Sequence, residues 1–137
     1  MFKTTTFLIF CCIFILSCGG PFNEKEQMEK AEKIETGIYK RIELYDEVLQ
    51  HNPSNSEAWS KKGMVLQMLG GADSNQYSGA LNCLDSALKY KNDPEYYCNK
   101  AFIYLNMEDK TSALKWFKIA DSLGSTVARN KIEELSR

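Results

Sequence analysis

The stretch Tyr45-Asp46-Glu47-Val48-Leu49-Gln50-His51-Asn52-Pro53-Ser54-Asn55-Ser56-Glu57-Ala58-Trp59-Ser60-Lys61-Lys62-Gly63-Met64-Val65-Leu66 decides the fold. Pro53 ends one helix, because the residue before a proline is pushed out of the helical region. Ser54 followed by Glu57 has capping-box spacing and opens the next. Within that helix Trp59, Gly63 and Leu66 share one face, a small residue between two large ones. The same spacing returns 38 residues later as Tyr97, Ala101 and Tyr104. On the helices that follow, Ala80, Leu84 and Ala87 return after 33 residues as Ala113, Phe117 and Ala120. The two offsets differ because the first hairpin carries a longer loop at 71–75. Self-similarity at this period is the mark of stacked helical hairpins. Each unit buries its apolar face only against a neighbour: small residues let helices approach, and large ones fill the gaps.

Reading outward, a second helix runs from about Gln76 to Tyr90. Asn92-Asp93-Pro94 restarts the chain, with Asp93 as cap and Pro94 at the first helical position. Glu108-Asp109 makes a turn, and Gly124-Ser125 closes one helix and opens a last one carrying Ala128, Ile132 and Leu135. Upstream, Ile34, Ile38, Ile42, Tyr45, Val48 and Leu49 recur at helical spacing, with Gly37 as an interruption. Before them, residues 24–35 are nearly all Glu, Lys and Gln, with Glu26/Lys30 and Glu29/Lys33 in the stabilising order. This predicts a solvated helical stalk of about 18 Å. No strand pattern competes. The expected fold is all-α: a short helical-hairpin solenoid of about two and a half repeats, a long N-terminal helix and a C-terminal capping helix. The expected division is 1–17 signal, 18–23 flexible tether, 24–40 stalk, 41–124 repeats and 125–137 cap.

The passage from Tyr45 to Trp59 resembles the junction between one tetratricopeptide (TPR) repeat and the next. The run Trp116-Phe117-Lys118-Ile119-Ala120-Asp121-Ser122-Leu123-Gly124 leans toward the related Sel1-like repeats. The resemblance spans Arg41 to Gly124. It departs at Lys62 and Lys100, which stand where the family has an aliphatic residue. It implies a curved solenoid whose first helices line an inner groove for a peptide or protein partner. The groove residues it implies are Ser60, Met64, Gln67 and Met68 in one repeat, and Cys98, Phe102, Leu105 and Asn106 in the next. That face reads as apolar and methionine-rich. It lacks the Lys and Asn with which chaperone-tail-binding members hold a terminal carboxylate. The competing expectation is that the chain's own terminal helices cover this face.

At the N-terminus, Met1-Phe2-Lys3 precedes an apolar run from Phe7 to Leu16. Its length suits a signal-peptide core and is about half a bilayer span. Ile15-Leu16-Ser17-Cys18-Gly19 resembles a bacterial lipobox, in which Cys18 becomes the lipid-bearing N-terminus. The plainer alternative is an ordinary cleaved signal with an incidental cysteine. The resemblance implies attachment to the cell envelope through lipid on Cys18. Gly19 is not the aspartate that retains some lipoproteins in the inner membrane, which favours the outer one. Cys83 and Cys98 then remain, as a disulfide or as two buried thiols.

A formal net charge of −1 over 137 residues argues against nucleic-acid binding. The single histidine, His51, sits at a helix end without a second metal ligand, and helix-end electrostatics account for it. Asp73-Ser74-Asn75 lacks the later carboxylates of a calcium loop. Neither a cofactor, a metal nor a catalytic cluster is expected. Two functions follow: a membrane-tethered protein-binding adaptor, similar to small TPR lipoproteins that assist outer-membrane or secretion-complex assembly, or a passive spacer or self-assembling subunit with no open groove. The oligomeric state is left open.

Overall fold

The computed structural model describes residues 21–33, 35–71 and 75–137. The signal stretch, Cys18, Gly19, Ile34 and loop residues 72–74 lie outside the described residues. Among the described residues seven helices follow one another: α1 (Glu24–Glu32), α2 (Ile38–His51), α3 (Ser56–Gly70), α4 (Asn75–Tyr90), α5 (Pro94–Asn106), α6 (Lys110–Ser122) and α7 (Thr126–Leu135). Their starts are set by side-chain caps that satisfy backbone N–H groups left without helical partners. Asn55 accepts from the Ala58 N–H at 2.8 Å, Asp93 from Glu95 at 3.0 Å and Ser125 from Ala128 at 3.2 Å. Asp93 and Ser125 cap where expected. The cap of α3 is Asn55 and not Ser54, whose hydroxyl donates to Asn52 instead at 2.8 Å.

Neighbouring helices pair as α1/α2, α3/α4 and α5/α6, and α7 packs on α6. Short connections make each pair antiparallel. The result is three hairpins with a final capping helix.

The N-terminal part departs from expectation. Residues 24–40 are not a stalk, and no long helix runs through to Leu49. Helix α1 ends at Glu32, and α2 starts at Ile38 behind Gly37. The two helices fold back on each other, with Ala31 fully buried. Charged side chains hid this, because a helix in a hairpin needs only one narrow apolar stripe, here Met28 and Ala31. Phe22 and Asn23 also belong to the fold and not to a tether. Phe22 stacks on His51 with ring centroids 3.7 Å apart, and Asn23 caps α1. His51 closes α2, as expected of a residue at a helix end. The Glu24 carboxylate accepts from Asn55 Nδ2 at 2.6 Å and from Asn52 Nδ2 at 3.2 Å, tying α1 to the junction before α3.

The core runs along the stack in three clusters. Tyr45, Val48 and Val65 fill the first, with Ala31 and Ala58. Leu84, Tyr96 and Ile103 fill the second, and Phe117, with Ala101, Ala113, Ala120 and Ala128, the third. Helices α3 and α4 touch at Gly63. A Cβ there would sit 3.1 Å from the Ala80 carbonyl oxygen and 3.3 Å from Cys83 Cβ. Gly63→Leu and Ala101→Leu should therefore each lower stability by about 1–3 kcal/mol through overpacking. Chemical unfolding followed by far-UV circular dichroism checks this; wild-type stability in both would place these residues at the surface.

Candidate protein-binding groove

The first helices of the hairpins, α1, α3 and α5, lie side by side with clefts between them, on the face that the TPR resemblance implies as the inner one. On each, a cap is followed eight residues later by the small contact residue: Asn23 and Ala31, Asn55 and Gly63, Asp93 and Ala101. This register turns the exposed stripe of α3, Glu57, Met64 and Met68, to the same side as Glu95 and Asn106 of α5.

The expected groove residues are not one surface. Met64 is 39% exposed and Met68 66% exposed, while Gln67 is half-buried. Ser60 and Cys98 are buried, each with 4% of its surface exposed. Ser60 forms the floor of a cavity of about 510 Å³ between the first turns of α3 and α5. Cys98 and half-buried Phe102 line a second cavity, between α5 and the start of α7, with Asn99 and Val127. Phe102 meets Phe117 edge-on at 5.2 Å, so it also belongs to the core. Leu105 is half-buried and Asn106 exposed, and neither lines these cavities. The capping helix is what covers Cys98: its sulfur lies 3.3 Å from Ser125 Oγ.

Nor is the face uniformly apolar. Its N-terminal half is charged, with Lys25, Glu29 and Glu32 on α1, Glu57 and Lys61 on α3, and Glu95 on α5. Lys61 reaches across to Glu32 at 2.7 Å. Lys25, Glu29 and Glu32 come to this face only because α1 folds back on α2. The spacing from Asn23 to Ala31 was the available signal.

The two lysines that depart from the family pattern are explained by a repeated contact. Lys62 of α3 pairs with Asp46 of α2, and Lys100 of α5 pairs with Asp85 of α4. Each bridge joins a hairpin to the one before it. Lys100 is 4% exposed and its Nζ lies 3.9 Å above the Trp116 ring, a cation–π contact that replaces lost water. At the corresponding place α7 carries Ile132, which packs into the last cluster.

Cys83 and Cys98 are free thiols. Burial pushes both up from the ordinary thiol range; Lys62 opposes this at Cys83, and the Ser125 hydroxyl opposes it at Cys98. A thiol so raised is neutral at pH 7 and a poor nucleophile. Among the described residues, no group of three His, Cys, Asp or Glu side chains could hold a metal, and no helix is long and apolar enough to cross a membrane.

No family model matches the chain, and no curated protein is similar to it. Solved structures are. The chain resembles MamA AMB-1 at a TM-score of 0.55, with 26% identity over 69% of this chain and 51% of that one. A mutant of MamA gives a TM-score of 0.62, with 25% identity over 78% of this chain and 59% of the other. A chain of the CopN-Scc3 complex gives 0.64, at 20% identity over 82% of this chain and 66% of that one. The fold is of the TPR type. The chain spans little more than half the length of the two MamA chains it matches. Within the TPR arrangement, the repeated Lys–Asp bridge joins successive hairpins.

The bridge is unequal, and the inequality is testable. Asp85→Ala leaves the buried ammonium with only an aromatic face, and should cost about 3 kcal/mol, the low end for a broken buried pair. Lys100→Met removes the buried charge and keeps its stem, and should be close to neutral. Urea midpoints of the two variants decide; an equal loss in both would mean that the ion pair itself holds the interface.

Proposed function

We propose that this chain is a membrane-tethered protein-binding module that presents the inner face of its TPR solenoid to a partner protein. The observation that carries the reading is the exposed methionine pair. Met64 and Met68 stand one helical turn apart on α3, exposed on a helix whose opposite side buries Ala58, Gly63 and Val65. Flexible thioethers adapt to varied partner shapes, and exposed apolar side chains beside clefts mark interaction sites. The TPR fold supports a binding role over a catalytic one. The CopN-Scc3 chain that it resembles is itself part of a complex.

The tether is argued from the sequence alone. The apolar run from Phe7 to Leu16 and Cys18 after a small residue support a lipid anchor and a place in the bacterial cell envelope, with the outer membrane favoured by Gly19. Two acyl chains on one cysteine suffice for stable anchoring.

A second reading, a spacer or self-assembling subunit, is favoured by one contact. Helix α7 lies over Cys98 and beside Phe102, closing the far end of the groove. Sizing of the detergent-solubilised chain separates the two: a monomer leaves the methionine pair vacant, and an oligomer occupies it.

Two substitutions test the proposal. Met68→Glu should leave the melting temperature within about a degree of wild type, as an exposed substitution does, and abolish capture of the partner by cross-linking in solubilised membranes. Retained capture would exclude the inner face. Cys18→Ala should abolish incorporation of labelled palmitate; continued labelling would exclude the anchor.

A further inference from the structure

The cavity between the first turns of α3 and α5 has a charge pattern that selects its occupant. It has a volume of about 510 Å³ and adjoins a second cleft between α1 and α3, in which Met28 lies among charged side chains. Three lysines line the two, and each is already paired: Lys25 with Glu29 at 3.7 Å, Lys61 with Glu32 at 2.7 Å, and Lys91 with Asp93 at 2.8 Å. The charges left over are all negative. Glu24 is held by the amides of Asn52 and Asn55, whereas Glu57 and Glu95 have no ion-pair partner within 4.0 Å among the described residues. Glu57 opens α3 and Glu95 opens α5, so the two carboxylates stand at the rim.

The floor adds a second, independent feature. Ser60 is 4% exposed and lines the cavity, and its hydroxyl has no hydrogen-bond partner among the described residues. Beside it Tyr96, itself 6% exposed, donates to Ser56 Oγ at 3.3 Å. A hydroxyl that opens into the cavity can accept from a donor-rich cation, and two carboxylates that form no ion pair favour a cation over an anion.

We infer that this cavity receives a lysine or arginine side chain from a basic segment of the partner protein. The assignment rests on the protein-binding reading above and names the chemistry of that partner. Such a side chain would lay its stem along the groove and set its charged head between Glu57 and Glu95, over the cavity that Ser60 lines. The apolar stripe of Met64 and Met68 continues from the same helix, so an extended segment would place apolar residues after the cation.

The test uses the full chain in detergent and three blocked nine-residue peptides, alike but for a central arginine, glutamine or glutamate with leucines on one side. Binding is followed by fluorescence anisotropy. The arginine peptide should bind and weaken with added salt. In the double variant Glu57→Gln, Glu95→Gln its affinity should fall about tenfold, the scale of losing hydrogen bonds to a charged group, to that of the glutamine peptide. The charge-reversed pair Glu57→Lys, Glu95→Lys should bind the glutamate peptide instead, a gain that misfolding cannot produce. Failure of the arginine peptide to bind, equal binding of the glutamate peptide to wild type, or indifference to the double variant would each overturn the assignment. Partner capture that Met68→Glu abolishes but the glutamine pair leaves intact would overturn it while leaving the protein-binding reading in place.

Discussion

Close approach of the paired helices at one small residue is the constraint on which the rest depends. Two helices with ordinary side chains at their crossing stand farther apart than two that meet at a glycine or alanine. At Gly63 there is no room for a larger group, with the Ala80 carbonyl and Cys83 Cβ already at contact distance. Ala31 and Ala101 are fully buried at the matching places of the other hairpins. Because each lies eight residues after its cap, helix start and crossing point are locked together. That register decides which residues of α1, α3 and α5 are left for the inner face.

The register also explains why polar and apolar residues separate along that face. The first turns of α1, α3 and α5 carry acidic groups, which favour the positive end of the helix dipole. Glu24, Glu57 and Glu95 all occupy first turns. When hairpins stack side by side, these turns line up and make one end of the groove acidic. Later turns carry Met64, Met68 and Phe102. The inter-hairpin bridges Lys62–Asp46 and Lys100–Asp85 keep the units in step, and α7 ends the series by offering Ile132 where they carry lysine.

Much of the fold was legible because periodic burial leaves a periodic record. Trp59, Gly63 and Leu66 against Tyr97, Ala101 and Tyr104 identified two hairpins, and Asp93 and Ser125 marked the starts of α5 and α7. The first hairpin escaped because Gln27 stands where Trp59 and Tyr97 stand in the others, and because glutamates and lysines cover all but a narrow stripe of α1. The groove was legible only in part. Met64 and Met68 are exposed as expected, but Ser60 became a cavity floor and Cys98 went under α7. Their fate depends on how a neighbouring helix settles, which spacing within one helix does not encode. The charged half needed α1 in place before Glu29, Glu32 and Glu57 could be seen to share a cleft.

The central claim is that the inner face of this solenoid binds protein. Hydrogen exchange of the full chain, read by mass spectrometry with and without the captured partner, tests it most directly. Slowed exchange should fall on α1, α3 and α5, which line that face, and leave α2, α4 and α6 unchanged. Slowing confined to α2, α4 and α6 would place the partner on the outer surface and contradict the account.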